Sequence, residues 1–197
     1  EGRVALFGLS RAAFDEPVLR GYGLMMRLPR TSDFEAWSDL REASRAYLEP
    51  WEPLWPEDDL TRPAFRRRLR RYAAELADDQ TVPFFIFRED GRLLGGLTIA
   101  NIRRGVAQSC TIGYWIGQPH AGQGHMTNAV RLACRYGFDT LRFHRIEAAC
   151  IPENEGSRRV LEKAGFRREG YAREYLCIAG KWQDHLLHAL LPEDLTA

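Results

Sequence analysis

The chain has 197 residues, 45% of them hydrophobic and 28% charged, which suits one domain with a sizeable core and excludes an intrinsically disordered or collagen-like protein. Its 28 basic and 27 acidic residues leave a net charge of +1, so no global field draws it to nucleic acid or an anionic membrane, and any anion site is local. The longest apolar stretches, such as Pro83 to Phe87 and Leu186 to Leu191, fall far short of the roughly 20 residues of a bilayer span. The first 20 residues carry charges throughout and lack an apolar signal core, so no export and a cytoplasmic location are expected. The four cysteines, Cys110, Cys134, Cys150 and Cys177, stand at least 16 residues apart with no metal-ligand spacing; they read as buried free thiols, and no metal is expected.

Residues 1–20 read as an N-terminal arm, 21–192 as one domain and 193–197 as a tail. Val18 to Pro29 predicts a first strand, and Ser32-x-x-Glu35 is a capping box opening a helix with Phe34, Trp37, Leu40, Tyr47 and Leu48 at helical spacing. Pro50, Pro53 and Pro56 end that helix in an aromatic, proline-rich loop that either covers a site or connects two helices. A second helix from Thr61 carries Phe65, Leu69, Tyr72, Ala73 and Leu76 on one face and Arg66, Arg67, Arg68, Arg70 and Arg71 on the other, a pattern that fits a solvated basic face better than RNA binding.

A meander follows. Val82 to Arg88, the Asp90-Gly91 turn and Leu93 to Ile102 form a hairpin, and a third strand runs to Ile116. Met126, Val130, Ala133, Cys134 and Gly137 then line a helix, and Arg145 to Ile151 is a strand. Asn154 to Ala164 is a short helix closed by Gly165, and Phe166 to Ile178, Ala179-Gly180 and Trp182 to Leu191 make a long hairpin. The order is mixed α/β, a meander leading into a βαβ crossover.

Gly122 and Gly124 flank Gln123 where a loop becomes a helix, so successive N–H groups at a positive helix end are presented to an anion without side-chain obstruction. A flexible helix start explains a lone Gly-x-Gly equally well. A dinucleotide-binding turn fits less well: Thr127 replaces its third glycine, and five residues separate the strand end from Gly122. P-loop, zincin and α/β-hydrolase motifs do not occur, and the histidines form no cluster, His185 and His188 falling on opposite faces of a strand.

The strand, the Gly-x-Gly loop, the crossover helix and Pro152-Glu-Asn154-Glu-Gly-Ser157 through Ala164-Gly165-Phe166 resemble the acetyl-CoA-binding motifs of the GCN5-related N-acetyltransferases (GNAT). Tyr47-Leu-Glu-Pro-Trp-Glu-Pro53, Gly113-Tyr-Trp-Ile116, Gly122-Gln-Gly124, Glu169 to Tyr175 and Gly180-Lys-Trp-Gln-Asp184-His are similar to the RimJ group of ribosomal-protein alanine N-acetyltransferases. The resemblance covers about residues 20 to 192 and implies a GNAT fold: a mostly antiparallel sheet of about seven strands with one splayed parallel pair, and about four helices. Three positions depart from the family pattern. Ala121 stands where the loop usually begins with Gln or Arg, Met126 where Gly or Ala is common, and Leu161 where many relatives place a tyrosine general acid.

The resemblance further implies acetyl-CoA as co-substrate. The pantetheine amides would meet the backbone of Tyr114 and Ile116, the latter also serving as oxyanion donor, and the pyrophosphate would rest on Gly122, Gln123, Gly124, His125, Met126 and Thr127. Asn154 and Ser157 would hold the pantetheine arm or thiol, with Ser157 as the acid. Glu174 is the first choice of base and Glu147 the second, each having an ion pair with arginine as its plain structural alternative. Trp51 and Glu52 would cover the acceptor and attract its ammonium. The expected acceptor is a protein N-terminus, of a ribosomal protein, with the enzyme a monomer or homodimer; a small polyamine or aminoglycoside, or a non-catalytic CoA-binding module, are the alternatives.

Overall fold

A computed structural model describes residues 16–195. The segment expected as one strand is a hairpin, with β1 (Val18–Gly21) and β2 (Leu24–Arg27) antiparallel around Tyr22 and Gly23. Both turn residues have positive φ, 53° and 73°, which matches the twist of the flanking strands. The sheet therefore takes in Val18 to Arg20 from the expected arm, whose first 15 residues lie outside those described.

Ser32 is not the cap of the first helix. Asp33 closes the preceding turn: its carboxylate accepts the Arg30 N–H at 2.7 Å and two Arg27 N–H groups at 2.8 and 2.7 Å. Helix α1 (Phe34–Ala43) then stops at Ser44, and Arg45–Leu48 forms a separate turn, α2. The buried Ser44 hydroxyl accepts the Gln118 N–H at 2.9 Å, so the helix breaks where it is tied to the loop that leads to Gly122. Helix α3 (Arg62–Ala77) starts as expected, its Thr61 hydroxyl accepting the Ala64 N–H at 3.4 Å with Pro63 in the first turn. Three of the five arginines on its basic face are matched locally: Arg67 pairs with Asp58, Arg68 with Asp59 at 2.6 Å and Arg71 with Glu75 at 3.5 Å.

Strands β3 (Val82–Arg88), β4 (Leu93–Arg103) and β5 (Ser109–Ile116) form the meander. Helix α4 (His125–Asp139) crosses to β6 (Arg145–Cys150), and α5 (Glu155–Ala164) precedes the hairpin of β7 (Arg167–Ile178) and β8 (Lys181–Leu190). The eight strands lie in the order β1-β2-β3-β4-β5-β6-β8-β7, antiparallel except for β5 and β6. The hairpin turn at Tyr22 and the break at Ser44 account for one strand and one helix more than expected.

The helices α1 and α3 cover one sheet face, burying Phe34, Trp37 and Phe65 against Phe85, Phe87 and Leu93, with the Trp37 and Phe65 rings 4.8 Å apart. A side chain the size of Phe65 contributes roughly 1.5–3 kcal/mol by such burial. The other face, under α4 and α5, holds the larger core, in which Cys110, Ile146, Ala148, Cys150, Leu186 and Leu190 meet Val130, Ala133, Cys134 and Leu161. Cys110, Cys134 and Cys150 are buried free thiols, whereas Cys177, expected buried, is exposed on β7.

Candidate active site

Strands β5 and β6 pair only from Ser109↔Arg145 to Thr111↔Glu147. Beyond that they part, because β5 continues beside β4 while β6 follows β8 as far as Cys150↔Leu186. Backbone polar groups alternate in direction along a strand. Gly117 donates to the Leu94 carbonyl on β4 and the Trp115 carbonyl faces Gly95, so the N–H groups of Tyr114 and Ile116 point away from β4, into the gap.

A cavity of about 430 Å³ occupies the gap and is lined by residues from both faces of the sheet. On the α4–α5 side it is lined by Gly122, Gly124, His125, Met126, Thr127, Asn154, Ser157, Arg159 and Lys163. On the α1 side it is lined by Tyr47, Trp51, Glu52, Trp115, Leu176, Ile178 and His185.

The donor half is built at the start of α4. Gly122 and Gly124 have φ of 74° and 83°, and a Cβ on either would meet no protein atom within 4 Å, so backbone conformation rather than crowding selects glycine. The six N–H groups from Gly122 to Thr127 find no acceptor among the described residues, and the Gln123 side chain turns back to the Pro119 carbonyl at 2.9 Å. Six orphan donors at the positive end of a 15-residue helix, flanked by Arg159 and Lys163 one turn apart on α5, suit a diphosphate. Arg159 also pairs with Glu155 at 3.0 Å, while Ala121 brings no side-chain donor to the cavity. Neither Arg159 nor Lys163 was singled out from the sequence, although their mutual i, i+4 spacing on α5 was the available signal.

Asn154 caps α5, its Oδ1 accepting the Ser157 N–H at 2.9 Å, so this residue serves the helix as well as lining the cavity. The Ser157 Oγ lies 2.9 Å from the Tyr114 hydroxyl. Burial pushes the Tyr114 phenol well above its usual range, the bond to Ser157 opposing this, so the phenol stays protonated and can donate to Ser157, leaving the serine proton free for the cavity. The Cys150 thiol, also in the cavity wall, is raised by burial with Ser157 opposing, which keeps it a thiol. Leu161, at the position where a tyrosine acid was missing, is fully buried in the core.

The two expected bases lie elsewhere. Glu147 sits where β5 and β6 are still paired and is held by Arg103 and Arg145, each at 2.8 Å. Glu174 is exposed at a bulge where β7 loses register with β8 between Ala172 and Leu176. Asp184 stitches that bulge by accepting the Glu174 N–H at 2.8 Å and the Tyr171 hydroxyl, which pulls the Asp184 carboxyl below its usual range. Neither carboxylate lines the cavity.

Trp51 and Glu52 do line it, but the Glu52 carboxylate accepts two bonds from the buried Arg41, at 2.8 and 2.7 Å, and one from Trp55 Nε1 at 2.7 Å. Its charge is spent on Arg41. Its backbone carbonyl accepts the Ala179 N–H at 2.8 Å, docking the proline-rich loop on the β7–β8 turn as a wall of the cavity. Among the described residues no cluster of three or more groups able to hold a metal occurs, and no helix is long and apolar enough to cross a membrane.

A helix start with free N–H groups, two amides facing a gap between parallel strands and a cavity lined from both sides of the sheet suit an acetyl-CoA-dependent N-acetyltransferase. The chain belongs to that class, since residues 23–167 match the acetyltransferase (GNAT) domain family. It is 35% identical over 174 residues to the ribosomal protein uS5-alanine N-acetyltransferase of Escherichia coli K12, covering 88% of this chain and 90% of that one. It is 39% identical to the probable N-acetyltransferase YjcK of Bacillus subtilis 168, covering 90% and 98% of the two chains. The structure superposes on Mycobacterium smegmatis RimJ in complex with CoA-disulfide with a TM-score of 0.85 and 36% identity, covering 92% of this chain and 89% of that one.

Proposed function

We propose that the protein transfers the acetyl group of acetyl-CoA to the α-amino group of a protein N-terminus, with a ribosomal protein as the target class. The observation that carries this is the charge state of the acceptor half. Among the described residues Glu52 is the one carboxylate in the cavity wall, and Arg41 neutralises it. A polyamine or aminoglycoside carries several positive charges and needs free carboxylates, whereas a peptide N-terminus brings one ammonium and an apolar first side chain that suits Trp51, Trp115 and Leu176. The likeness to a uS5-alanine N-acetyltransferase supports the same reading.

Bound acetyl-CoA supplies an activated acyl group and a thiol leaving group of pKa about 8.5. The chain's own residues do the rest. Gly122 to Thr127 with Arg159 and Lys163 anchor the phosphates, the Tyr114 and Ile116 N–H groups orient the pantetheine arm and face the carbonyl, and Ser157 offers its proton to the departing sulfur. An α-amino group, with a pKa of about 7.7–8.0 against about 10.4 for lysine, is already roughly a tenth deprotonated near neutral pH, which favours it as acceptor. The test mixes purified protein and acetyl-CoA with alanine-initiated peptides, spermidine or an aminoglycoside, and follows thiol release. Release with peptides is expected. Faster release with the polycations refutes the acceptor, and none with any amine despite CoA binding supports the non-catalytic module.

A further inference from the structure

Direct transfer to an amine needs a proton acceptor in the acceptor half of the cavity, and neither Glu147 nor Glu174 reaches it. Resting on the function proposed above, we infer that His185 is the general base, with Nε2 as the accepting atom. On β8, Leu186, His188 and Leu190 share the face of Cys150, Ala148 and Ile146 under α4 and α5, so His185 projects from the opposite face, into the chamber walled by Trp51, Leu176 and Ile178. The donor half and His185 thus approach the gap from the two sides of the sheet, which places an amine beside His185 across the gap from the cofactor's phosphates.

The ring is held for this task. Nδ1 lies 2.9 Å from the Gln183 carbonyl, an acceptor that fixes the proton on Nδ1 and leaves the Nε2 lone pair. Among the described residues Nε2 makes no hydrogen bond, and it is not one of the sealed, unpartnered atoms. The Tyr175 ring stands edge-on at 5.6 Å and holds the imidazole plane. The charged groups around it are already engaged: Asp184 with Tyr171 and the Glu174 N–H, and Glu52 with Arg41. The sequence shows only a histidine in a strand, which is why no motif singles it out.

The proton balance closes. Nε2 takes one proton from the substrate ammonium and passes it to solvent; the amine lone pair forms the C–N bond, the C–S bond breaks and its electron pair stays on sulfur. Nε2, free again, takes the second proton from nitrogen to solvent, and Ser157, having protonated sulfur, regains a proton from solvent. The products are the amide, the CoA thiol and one proton.

The experiment measures kcat/KM against pH for an alanine-initiated peptide with wild type, His185→Gln and His185→Ala, alongside acetyl-CoA affinity by calorimetry. Loss of the group that takes the ammonium proton predicts roughly a tenfold fall at pH 7, where about a tenth of the amine is already neutral, with CoA affinity unchanged. The deficit narrows above about pH 8, where the amine arrives deprotonated, and added imidazole restores part of the His185→Ala rate. A rate within about threefold of wild type, or a deficit that neither pH nor imidazole moves, overturns the assignment. So does a nitrogen-15 spectrum of the wild-type protein with the neutral ring's proton on Nε2, a readout that needs no variant to fold. A wild-type enzyme that releases no thiol with any amine overturns the proposed function and the base with it, whereas an active wild type with an equally active His185→Gln overturns the base alone.

Discussion

Replacing Glu52 by glutamine strips the charge from a pair whose arginine has nowhere else to go. The Arg41 side chain is 5% exposed and that of Glu52 20%, and the Arg41 Nε is already without a partner. The guanidinium lies 4.0 Å from the Trp55 ring and 5.0 Å from that of Trp115, neither of which can replace an anion. Removing one member of a buried pair typically costs about 3–5 kcal/mol. Because Glu52 is partly exposed and glutamine retains one acceptor oxygen, the expected cost of Glu52→Gln is at the lower end, about 3 kcal/mol, or about 6–12 °C in Tm for a domain of this size. Urea unfolding measures it. The same reasoning predicts that Arg41→Met combined with Glu52→Gln is more stable than Glu52→Gln alone, since the double variant strands no charge. A single variant within about 0.5 kcal/mol of wild type, or a double variant less stable than the single, refutes the stranded-charge argument.

Gly124→Asp places a β-carbon at φ 83° and a negative charge among the orphan N–H groups, and calorimetry is expected to show acetyl-CoA binding at least tenfold weaker; unchanged affinity removes the cradle. Ser157→Ala lowers turnover about tenfold, more than it weakens CoA binding, and a wild-type rate removes its role as acid. The His188 ring is held below its ordinary value of 6.5, chiefly by burial, so the folded protein takes up that proton later on acidification than the unfolded chain does. Its contribution to stability is therefore complete above 6.5 and is lost as pH falls through the window below it. Unfolding of His188→Leu is expected to show a flatter loss of stability between about pH 7 and 5 than wild type, and parallel slopes would contradict the burial argument.

Local chemistry made most of the fold readable from the chain. The proline at Pro63, the capping Thr61, the Asp90-Gly91 turn and the left-handed Gly165 each set an element boundary through contacts a few residues long. The two misread places have equally physical causes. Tyr22-Gly23 is a turn written with a residue that rarely takes positive φ, and Ser44 breaks its helix to satisfy an N–H that lies 74 residues away along the chain. The donor half of the site was legible for the same reason as the helices: two glycines at a helix start are a local instruction to the backbone.

The acceptor half was not legible, because it is made of pairings between segments far apart in sequence. That Glu52 is neutralised depends on Arg41 folding back across the break in the first helix, and that Glu174 points outward depends on a bulge held by Asp184 from the neighbouring strand. The side of the sheet on which His185 emerges is fixed by the register of β8 against β6, where a slip of one residue would exchange it with Leu186. The sequence by itself determined the class of reaction through the ordered set of motifs that resemble the GNAT family, of which the anion cradle set by Gly122 and Gly124 is one local part. Only the tertiary structure decided which titratable groups face the amine, because a side chain's charge and accessibility are properties of the neighbours that packing brings to it.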